Sequence, residues 1–360
     1  AEGRLPGDDI LSLLAERSIA RMDQNGRFAL KPSRQPSVPT FIIQSWDDYL
    51  FPATQVLDVY SQITAPKQIY LGRTGHPPGG HSYDGEEIYI GSQVLRWFDH
   101  YLRGIGGKDS RPVTSAPSPF RLQLFTGASF PASDTGSLAL YLKPGGALTS
   151  KRKGKDRPER AGAIFDTGRI RSSRLGTEVP SRSDMFSGQI VPITGLPQSL
   201  VYTHGPLDSE VELMGSGEFT LFISSVTSRV LDLIVRIYDV APDGTQTEVT
   251  TGASRVEDLA PEEVRRVVFK DFGDHWVFRR GHSIRVKVSN IDFPDFRPPG
   301  INDNQVSEFL IHYGKKLPSS VRLAGAGPVI ISGRWSVAGG QVERSGLMNN
   351  ILPYTLTTGH

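Results

Sequence analysis

The sequence predicts an α/β part followed by an all-β part, and three observations support this. Between residues 40 and 110, unbroken apolar runs alternate with helical patterns, as in parallel strands that are covered on both faces. From about residue 115 the pattern changes to short alternating strands separated by turn residues. The 38 glycines and 26 prolines fit a chain with many turns. We expect domains at residues 1–36, 37–112 and 113–360.

Composition and charge exclude several classes of function. A chain of 360 residues is long enough for more than one domain. Its net charge of +2 indicates no nucleic-acid partner. The absence of cysteine excludes disulfides, thiolate metal sites and cysteine nucleophiles. No apolar run approaches the roughly 18 residues of a membrane span, so we expect none.

The start of the chain bears on localisation. The chain begins at Ala1 without a methionine, and no signal-peptide pattern follows it. The start at Ala1 and the lack of cysteine favour a secreted or periplasmic protein, with the cytoplasm as the open alternative.

Each element before residue 113 has a local reason. A short helix is predicted over residues 8–17, because acidic residues precede an apolar pattern. Repeated prolines predict an extended linker over residues 31–39. Strands are then expected at 40–44 and 67–71, and helices at 53–62 and 89–103. The predicted inner face of the last helix consists of Ile90, Val94, Leu95, Phe98 and Leu102.

The later part of the chain predicts a two-sheet sandwich or jelly roll. The turn sequence APDG at residues 241–244 is typical of a tight reversal between two such strands. Short alternating runs with turn signals on either side favour this architecture. The predicted strands are at 121–125, 138–142, 218–224, 231–240, 264–270, 282–289, 306–313 and 329–331.

The two strands of the α/β part are each followed by residues that a Ser-His-Asp triad needs. Asp47 and Asp48 follow the first strand, and His76 and His81 follow the second. In α/β-hydrolases the acid precedes the base along the chain, and both lie on loops at the carboxyl edge of the sheet. No Gly-x-Ser-x-Gly nucleophile turn occurs anywhere in the sequence. The chain thus has an acid and a base without the nucleophile.

Alternatives remain for each of these residues. We favour Asp48 over Asp47, because an apolar residue and a proline follow it where the loop turns into its helix. His76 is reached directly from its strand, whereas His81 lies in a glycine- and proline-rich loop. All four residues could equally be polar surface residues of their loops. A metal site is the less favoured alternative; its ligands would be His76, His81, Asp84, Glu86 and Glu87.

At these residues the chain resembles the X-Pro dipeptidyl-peptidase and cocaine-esterase superfamily of serine hydrolases. Residues 38–48 (VPTFIIQSWDD) are similar to the family segment that ends at the catalytic Asp. Residues 69–76 (IYLGRTGH) are similar to the segment that ends at the catalytic His, and residues 97–104 (WFDHYLRG) to the helix that follows. Ser45 stands where the family often has Gly, and Arg-Thr-Gly at 73–75 replaces a bulkier linker.

The resemblance extends through the β-rich part, over roughly residues 37–315 in all. It includes the family's first jelly-roll segment at 207–215 (LDSEVELMG), and His282 belongs to a sandwich strand in this comparison. Further segments match the family's strand and turn motifs in order; they are at 238–244, 251–255, 278–285 and 290–294.

The resemblance implies that the sheet is the C-terminal part of an α/β-hydrolase sheet, with its last two strands, followed by a jelly-roll β-sandwich. Residues 1–36 would be the end of a helical cap and its linker. Asp48 would be the acid and His76 the base. Aromatic residues on the loops are candidates to line the substrate pocket, although plain packing explains them equally well; they are Trp46, Tyr49, Phe51 and Tyr83.

The missing nucleophile predicts a partner. Two buried strands alone would leave open edges and apolar faces, so we expect a second polypeptide to complete the sheet. That N-terminal chain, plausibly cut from the same precursor, would carry the nucleophilic Ser and the oxyanion donors. The expected function is hydrolysis of a small-molecule or peptide ester or amide, with no cofactor. The alternatives are a catalytically inactive relative and a β-sandwich binding module.

Overall fold

A computed structural model gives the structure of the chain. It describes residues 16–22, 28–48, 51–75, 85–107, 112–118, 123–127, 130, 136–152, 158–166, 189–192, 195–225, 229–291, 307–325, 335–338 and 341–344. The fold is mostly β-sheet, with the helices α1 (Ala53–Gln62) and α2 (Glu86–Arg103) near its beginning. The strands are β1 (Ala20–Met22), β2 (Phe28–Leu30), β3 (Thr40–Ser45), β4 (Lys67–Gly72), β5 (Val113–Ser115), β6 (Gln123–Gly127), β7 (Ser137–Lys143), β8 (Ala147–Thr149), β9 (Glu159–Asp166), β10 (Gln189–Pro192), β11 (Ser199–His204), β12 (Val211–Gly215), β13 (Glu218–Ser225), β14 (Leu231–Val240), β15 (Gln246–Val256), β16 (Arg265–Lys270), β17 (Asp274–Phe278), β18 (Ser283–Ser289), β19 (Ser307–Ile311), β20 (Ser320–Ala324), β21 (Trp335–Ala338) and β22 (Gln341–Arg344).

The α/β part is built on a sheet with the strand order β22-β21-β6-β5-β4-β3. Strands β3, β4 and β5 are parallel, and the other three continue the sheet in antiparallel fashion. The first sheet therefore has more strands than the two that were expected, because β5 and β6 join it. The three residues of β5 are too few to form a recognisable apolar run, and β21 joins from more than 200 residues away.

Helix α2 buries a face that agrees only in part with the predicted one. Tyr89 and Gln93 are buried, whereas Leu95, Phe98 and Leu102 are 67%, 50% and 76% exposed. Of the predicted inner face, Ile90 packs against a buried cluster with Tyr89, while these three apolar side chains are left uncovered by the described residues. This apolar stripe consists of Ile88, Leu95, Phe98, Leu102 and Ile105.

The N-terminal region forms a β-hairpin in its described residues, where a helical cap was expected. Strands β1 and β2 pair in antiparallel fashion. The hairpin is fastened to α1, because the Phe28 N–H donates to Asp58 Oδ2 at 3.2 Å and Gln62 Nε2 donates to the Phe28 carbonyl at 2.7 Å. The predicted helix at 8–17 lies almost wholly outside the described residues. The linker is extended apart from a 3-10 turn at Pro32–Arg34.

The sandwich comprises β7 to β20. Its main sheet has the order β10-β9-β19-β13-β20-β7-β8-β11-β18-β14-β15, with β16 pairing with β13. One core contains side chains from both halves of this order, such as Phe219 and Leu221 of β13 and Leu233 and Val235 of β14. The predicted sandwich is thus confirmed as a sheet-rich part of the chain. The predicted strand at 329–331 lies outside the described residues.

A two-stranded ladder joins the sandwich to the α/β part. Strand β17 pairs with β12 along its whole length. On its other side, the chain that follows β5 runs beside β17, and the Ser118 N–H donates to the His275 carbonyl at 2.8 Å. Strand β17 therefore lies near the carboxyl ends of the parallel strands. No helix in the described ranges has the length and apolar character to cross a bilayer.

Candidate active site

The candidate site is at the carboxyl ends of the parallel strands β3 and β4, where ligands commonly bind in α/β sheets. Strand β3 ends at Ser45, and residues 46–52, named here the acid loop, lead to α1. Strand β4 ends at Gly72, and residues 73–85, named here the base loop, lead to α2. The Trp46 N–H donates to the Gly72 carbonyl at 2.9 Å, so the two loops leave the sheet side by side.

The carboxylate of Asp48 is buried and held by one donor from its own loop and one from the end of β3. Its exposed fraction is 9%. Oδ1 accepts the Phe51 N–H at 2.9 Å, and Oδ2 has Gln44 Nε2 at 3.5 Å. Gln44 Nε2 also donates to the Phe51 carbonyl at 2.7 Å, which closes the loop behind the acid. These bonds orient the carboxylate, as an acid that must fix the tautomer of a histidine requires.

Asp47, the competing acid, connects the two loops. The Gly75 N–H donates to Ser45 Oγ at 3.0 Å and has Asp47 Oδ1 at 3.3 Å. Ser45 Oγ in turn donates to Asp47 Oδ1. Asp47 therefore holds the residue immediately before His76 in the sequence. His76 itself and the competing His81 lie outside the described residues.

Glu86 fixes the two ends of the base loop. It is buried at the start of α2, and its Oε1 accepts the Tyr70 hydroxyl at 2.8 Å and the Arg73 N–H at 2.9 Å. Gly72 is required here, because a Cβ at this position would collide with Glu86 Oε1. Since one oxygen contacts residues on either side of Gly72, Glu86 ties α2 to the end of β4.

Only two of the five candidate metal ligands lie within the described residues. Glu86 serves the contacts above and Glu87 is exposed, while His76, His81 and Asp84 lie outside the described residues. Among the described residues no group of three or more His, Asp or Glu side chains is close enough to hold a metal ion.

The four aromatic pocket candidates differ in where the structure places them. Trp46 is buried in the core with Phe130 at a ring-centroid distance of 5.2 Å. Phe51 is exposed on the acid loop. Tyr49 and Tyr83 lie outside the described residues. Only Phe51 thus presents an aromatic surface that the described residues leave open.

Sequence reasoning missed two buried contacts between the loops and the sandwich. Arg73 NH2 donates to both carboxylate oxygens of Asp274, at 2.7 and 2.6 Å. Trp46 Nε1 donates to Ser115 Oγ at 3.0 Å, and Ser115 Oγ is 2.8 Å from His275 Nδ1. Burial raises the pKa of the Asp274 carboxyl, and the guanidinium of Arg73 acts against that shift. These contacts could not be predicted from a local sequence pattern, because the partners are 160 and 201 residues apart in the sequence.

Comparison with known families identifies the β-rich part. Residues 113–322 match the family described as the X-Pro dipeptidyl-peptidase C-terminal non-catalytic domain. The match covers more than half of the 360 residues. The chain belongs to this family. Asp48 and His76 precede the matched residues, so the family description applies to the part of the chain that follows both.

Solved structures share the fold of this family member. An aminopeptidase from a marine sediment archaeon (Thaumarchaeota archaeon) is 16% identical with a TM-score of 0.63, covering 80% of this chain and 55% of that one. A CocE/NonD family hydrolase from Staphylococcus aureus is 15% identical with a TM-score of 0.62, covering 88% and 58%. An alpha-amino acid ester hydrolase is 18% identical with a TM-score of 0.61, covering 90% and 61%.

These matches have two consequences. The chain spans between 55% and 61% of the length of these hydrolases, and at such identities the similarity concerns the fold. The resemblance to the X-Pro dipeptidyl-peptidase and cocaine-esterase superfamily is thereby confirmed. No curated protein matches the sequence.

Proposed function

We propose that this chain is part of a serine hydrolase that cleaves esters or amides. In this proposal Asp48 is the acid of the triad and His76 is its base. The nucleophilic Ser and the oxyanion donors come from a second polypeptide that completes the sheet. The hydrolase names of three fold relatives support the reaction class.

The hydrogen bonding between the acid loop and the base loop carries the proposal. Ser45 Oγ lies three residues before Asp48 and accepts the N–H of Gly75, which directly precedes His76, at 3.0 Å. An acid and a base that act together need such a connection, because the acid must contact one imidazole nitrogen. The burial of the Asp48 carboxylate adds support, since electrostatic interactions strengthen away from water.

The mechanism follows from the roles of these side chains. The Ser oxygen attacks the carbonyl carbon while His76 accepts its proton, and that proton then passes to the leaving alcohol or amine. Water attacks the acyl-enzyme in the same way, which releases the acid and regenerates Ser. Asp48 holds His76 in the correct tautomer and stabilises its cationic form. Donors on the second polypeptide stabilise the negative charge that develops on the carbonyl oxygen.

Two surfaces support a polypeptide that completes the sheet. Strand β3 pairs with β4 alone among the described strands, so its other edge is available for a further strand. The apolar stripe of α2 is the second surface; exposed apolar patches of this kind mark interaction sites. Helix α2 packs beside β3, since the ring of Phe41 in β3 is 5.7 Å from that of Trp97 in α2.

Substitutions on the stripe test this docking surface. Leu95→Glu and Leu102→Glu should weaken retention of the second polypeptide by tenfold or more, because each places a charge in an apolar interface. Val201→Glu is the control, since Val201 is also exposed but lies in the sandwich. Equal retention by all three variants would contradict the proposed surface.

Labelling with a fluorophosphonate tests the catalytic assignment. The label should attach to a serine outside these 360 residues, and Asp48→Asn should slow labelling on the order of 10⁴-fold. Asp47→Asn is the matched control. It should slow labelling by less than about tenfold, because it loses only loop contacts. A label on a serine of this chain would overturn the division of the triad. The absence of any label on the purified assembly would favour an inactive relative.

Denaturing mass analysis of the same assembly identifies the source of the serine. The proposal expects a second polypeptide that co-purifies with this one and carries the label. A labelled serine in a longer, continuous form of this chain would retain the triad but reject the second polypeptide.

A further inference from the structure

Two adjacent residues of strand β17 are linked to the loops of the candidate site: Asp274 contacts Arg73 of the base loop, and His275 is linked to Trp46 of the acid loop through Ser115. We propose that Asp274 and His275 are positioning residues, Asp274 for the base loop that carries His76 and His275 for the acid loop that carries Asp48. This inference rests on the proposed function. It assigns to the sandwich a direct part in holding the two loops in register.

Asp274 holds the base loop through a buried ion pair. The Arg73 guanidinium contacts both Asp274 oxygens, and both side chains are nearly inaccessible to solvent. A charge pair of this kind is strongly sensitive to loss of one partner, because the remaining charge is left buried. The guanidinium also lies 5.3 Å from the Trp276 ring, which covers it from the same strand. Arg73 is three positions before His76, so the pair fixes where that segment leaves β4.

His275 holds the acid loop through Ser115. Trp46 Nε1 donates to Ser115 Oγ, which lies at 2.8 Å from His275 Nδ1, and His275 Nε2 is 3.1 Å from Glu212 Oε1. In the neutral imidazole, Nε2 donates to the carboxylate and Nδ1 accepts the Ser115 hydroxyl proton. The resulting chain of donors runs in one direction from Trp46 to Glu212. Trp46 is two positions before Asp48.

The Ser115, His275 and Glu212 side chains have the residue types of a triad but do not compete for catalysis. Ser115 and His275 are fully buried, and Glu212 is nearly so. A substrate therefore has no access to Ser115 Oγ, which already accepts the Trp46 N–H. A buried and satisfied network of this kind instead specifies one arrangement of the groups around it.

Strand β17 is itself firmly held, which suits a positioning role. Trp276 Nε1 donates to Asp239 Oδ2 at 3.0 Å, and Asp239 Oδ1 is 2.8 Å from His282 Nδ1. The His275 N–H donates to Asp274 Oδ1 at 2.6 Å, so the two positioning residues also constrain each other. Contacts made by such a strand transmit the rigidity of the sandwich to the loops.

Amide hydrogen exchange tests the inference in the intact protein without relying on activity. The Gly75 N–H reports the base loop, since it donates to Ser45 Oγ at the end of β3, and the Phe51 N–H reports the acid loop, since it donates to Asp48 Oδ1. Asp274→Asn should accelerate exchange at Gly75 by tenfold or more, and Ser115→Ala should do so at Phe51. Ser319→Ala is the matched control for Ser115→Ala, because Ser319 is equally buried but hydrogen-bonds Phe222 and His312 within the sandwich.

Two outcomes of the exchange experiment would overturn the inference. One is unchanged exchange at Gly75 and Phe51 in both variants. The other is equal acceleration throughout the sandwich, which indicates general destabilisation. If Asp274→Asn does not fold, the double variant Arg73→Gln with Asp274→Asn replaces the ion pair by a neutral amide pair. That variant should still accelerate exchange at Gly75, since the charge-assisted contact of Arg73 NH2 with both Asp274 oxygens is lost.

Labelling kinetics of the assembled hydrolase complete the test. Asp274→Asn and Ser115→Ala should lower the maximal fluorophosphonate labelling rate by ten- to a hundredfold while the half-saturating concentration changes less than threefold. A changed half-saturation with an unchanged maximal rate would contradict positioning. If the wild-type assembly is never labelled, the proposed function fails, whereas the exchange experiment still decides whether β17 orders the two loops.

Discussion

The sandwich and the α/β part differ in how completely each covers its own apolar surface. In the sandwich, alternate residues of β13 and β14 are fully buried in one core. In the α/β part, α2 turns its apolar stripe outward and β3 keeps one edge without a strand among the described residues. The difference teaches that, among the described residues, the sandwich covers the apolar side chains of its central strands itself, whereas the α/β part leaves an apolar stripe and a strand edge uncovered.

Matched Leu→Ala substitutions should give the largest difference in the free energy of unfolding between the two parts. Leu221→Ala should lower the free energy of unfolding by about 2–5 kcal/mol, because it leaves a cavity in the sandwich core. Leu102→Ala should change it by less than about 0.5 kcal/mol, because this side chain is largely exposed. Urea unfolding followed by circular dichroism measures both. Similar losses for the two variants would refute the idea that α2 presents an uncovered face.

The pH dependence of the free energy of unfolding gives a second test, on a buried carboxyl group of the sandwich. We expect a smaller effect than that of Leu221→Ala. Burial raises the pKa of Asp271 to about 8, from an ordinary value of 3.8. Between about pH 4 and pH 8 the folded state therefore holds a proton that the unfolded state releases, and stability falls as the pH rises. Asp271→Asn should remove that decline and gain stability relative to the wild type on the order of a few kcal/mol at pH 8.

Urea unfolding at a series of pH values measures this effect. An amide oxygen can still accept the Gly217 and Gly273 N–H groups that Asp271 Oδ1 accepts, so the fold is preserved. Parallel pH profiles for the variant and the wild type would show that Asp271 is not the responsible group.

Two Gly→Ala substitutions should give the smallest effects, within the α/β part itself. Gly72→Ala should lower the free energy of unfolding by about 1–3 kcal/mol, because the added Cβ displaces Glu86 from the Tyr70 hydroxyl and the Arg73 N–H. Gly91→Ala, in α2, should stabilise by up to about 1 kcal/mol, since its Cβ meets no atom within 4 Å. Thermal unfolding of both variants is the measurement. If Gly72→Ala leaves the stability unchanged, Glu86 does not hold the base loop in place.

Long, regular patterns in the sequence predicted elements well. Strand β14 (Leu231–Val240) was predicted with its observed bounds, because ten residues with a strong strand preference end at a clear turn. Helix α1 (Ala53–Gln62) was predicted equally well from its helical spacing. Such elements have local causes, so the local sequence is sufficient to find them.

Other features depend on partners that local sequence does not reveal. The inner face of α2 was predicted from apolar spacing, yet Tyr89 and Gln93 are the buried side chains and the apolar stripe faces outward. A stripe that serves an interface has the same pattern as one that serves a core. Strand β21 likewise joins the first sheet only through long-range pairing with β6.

The candidate site was only partly accessible from the sequence. The sequence predicted two neighbouring strands, each followed by a loop, and the structure joins the ends of these strands through the Trp46 N–H and the Gly72 carbonyl. The contacts of Arg73 with Asp274 and of Trp46 with Ser115 and His275 depend on how the sandwich packs. Asp48 and His76 as acid and base stay predictions.

The most direct test of the central claim compares His76 with the other histidine of its loop. The purified assembly is exposed to a fluorophosphonate, and the labelling rate is measured for His76→Ala and His81→Ala. The account predicts a loss of several orders of magnitude for His76→Ala, because triad residues act as a unit, and less than tenfold for His81→Ala. Labelling of His76→Ala at the wild-type rate would contradict the claim that this chain supplies the base.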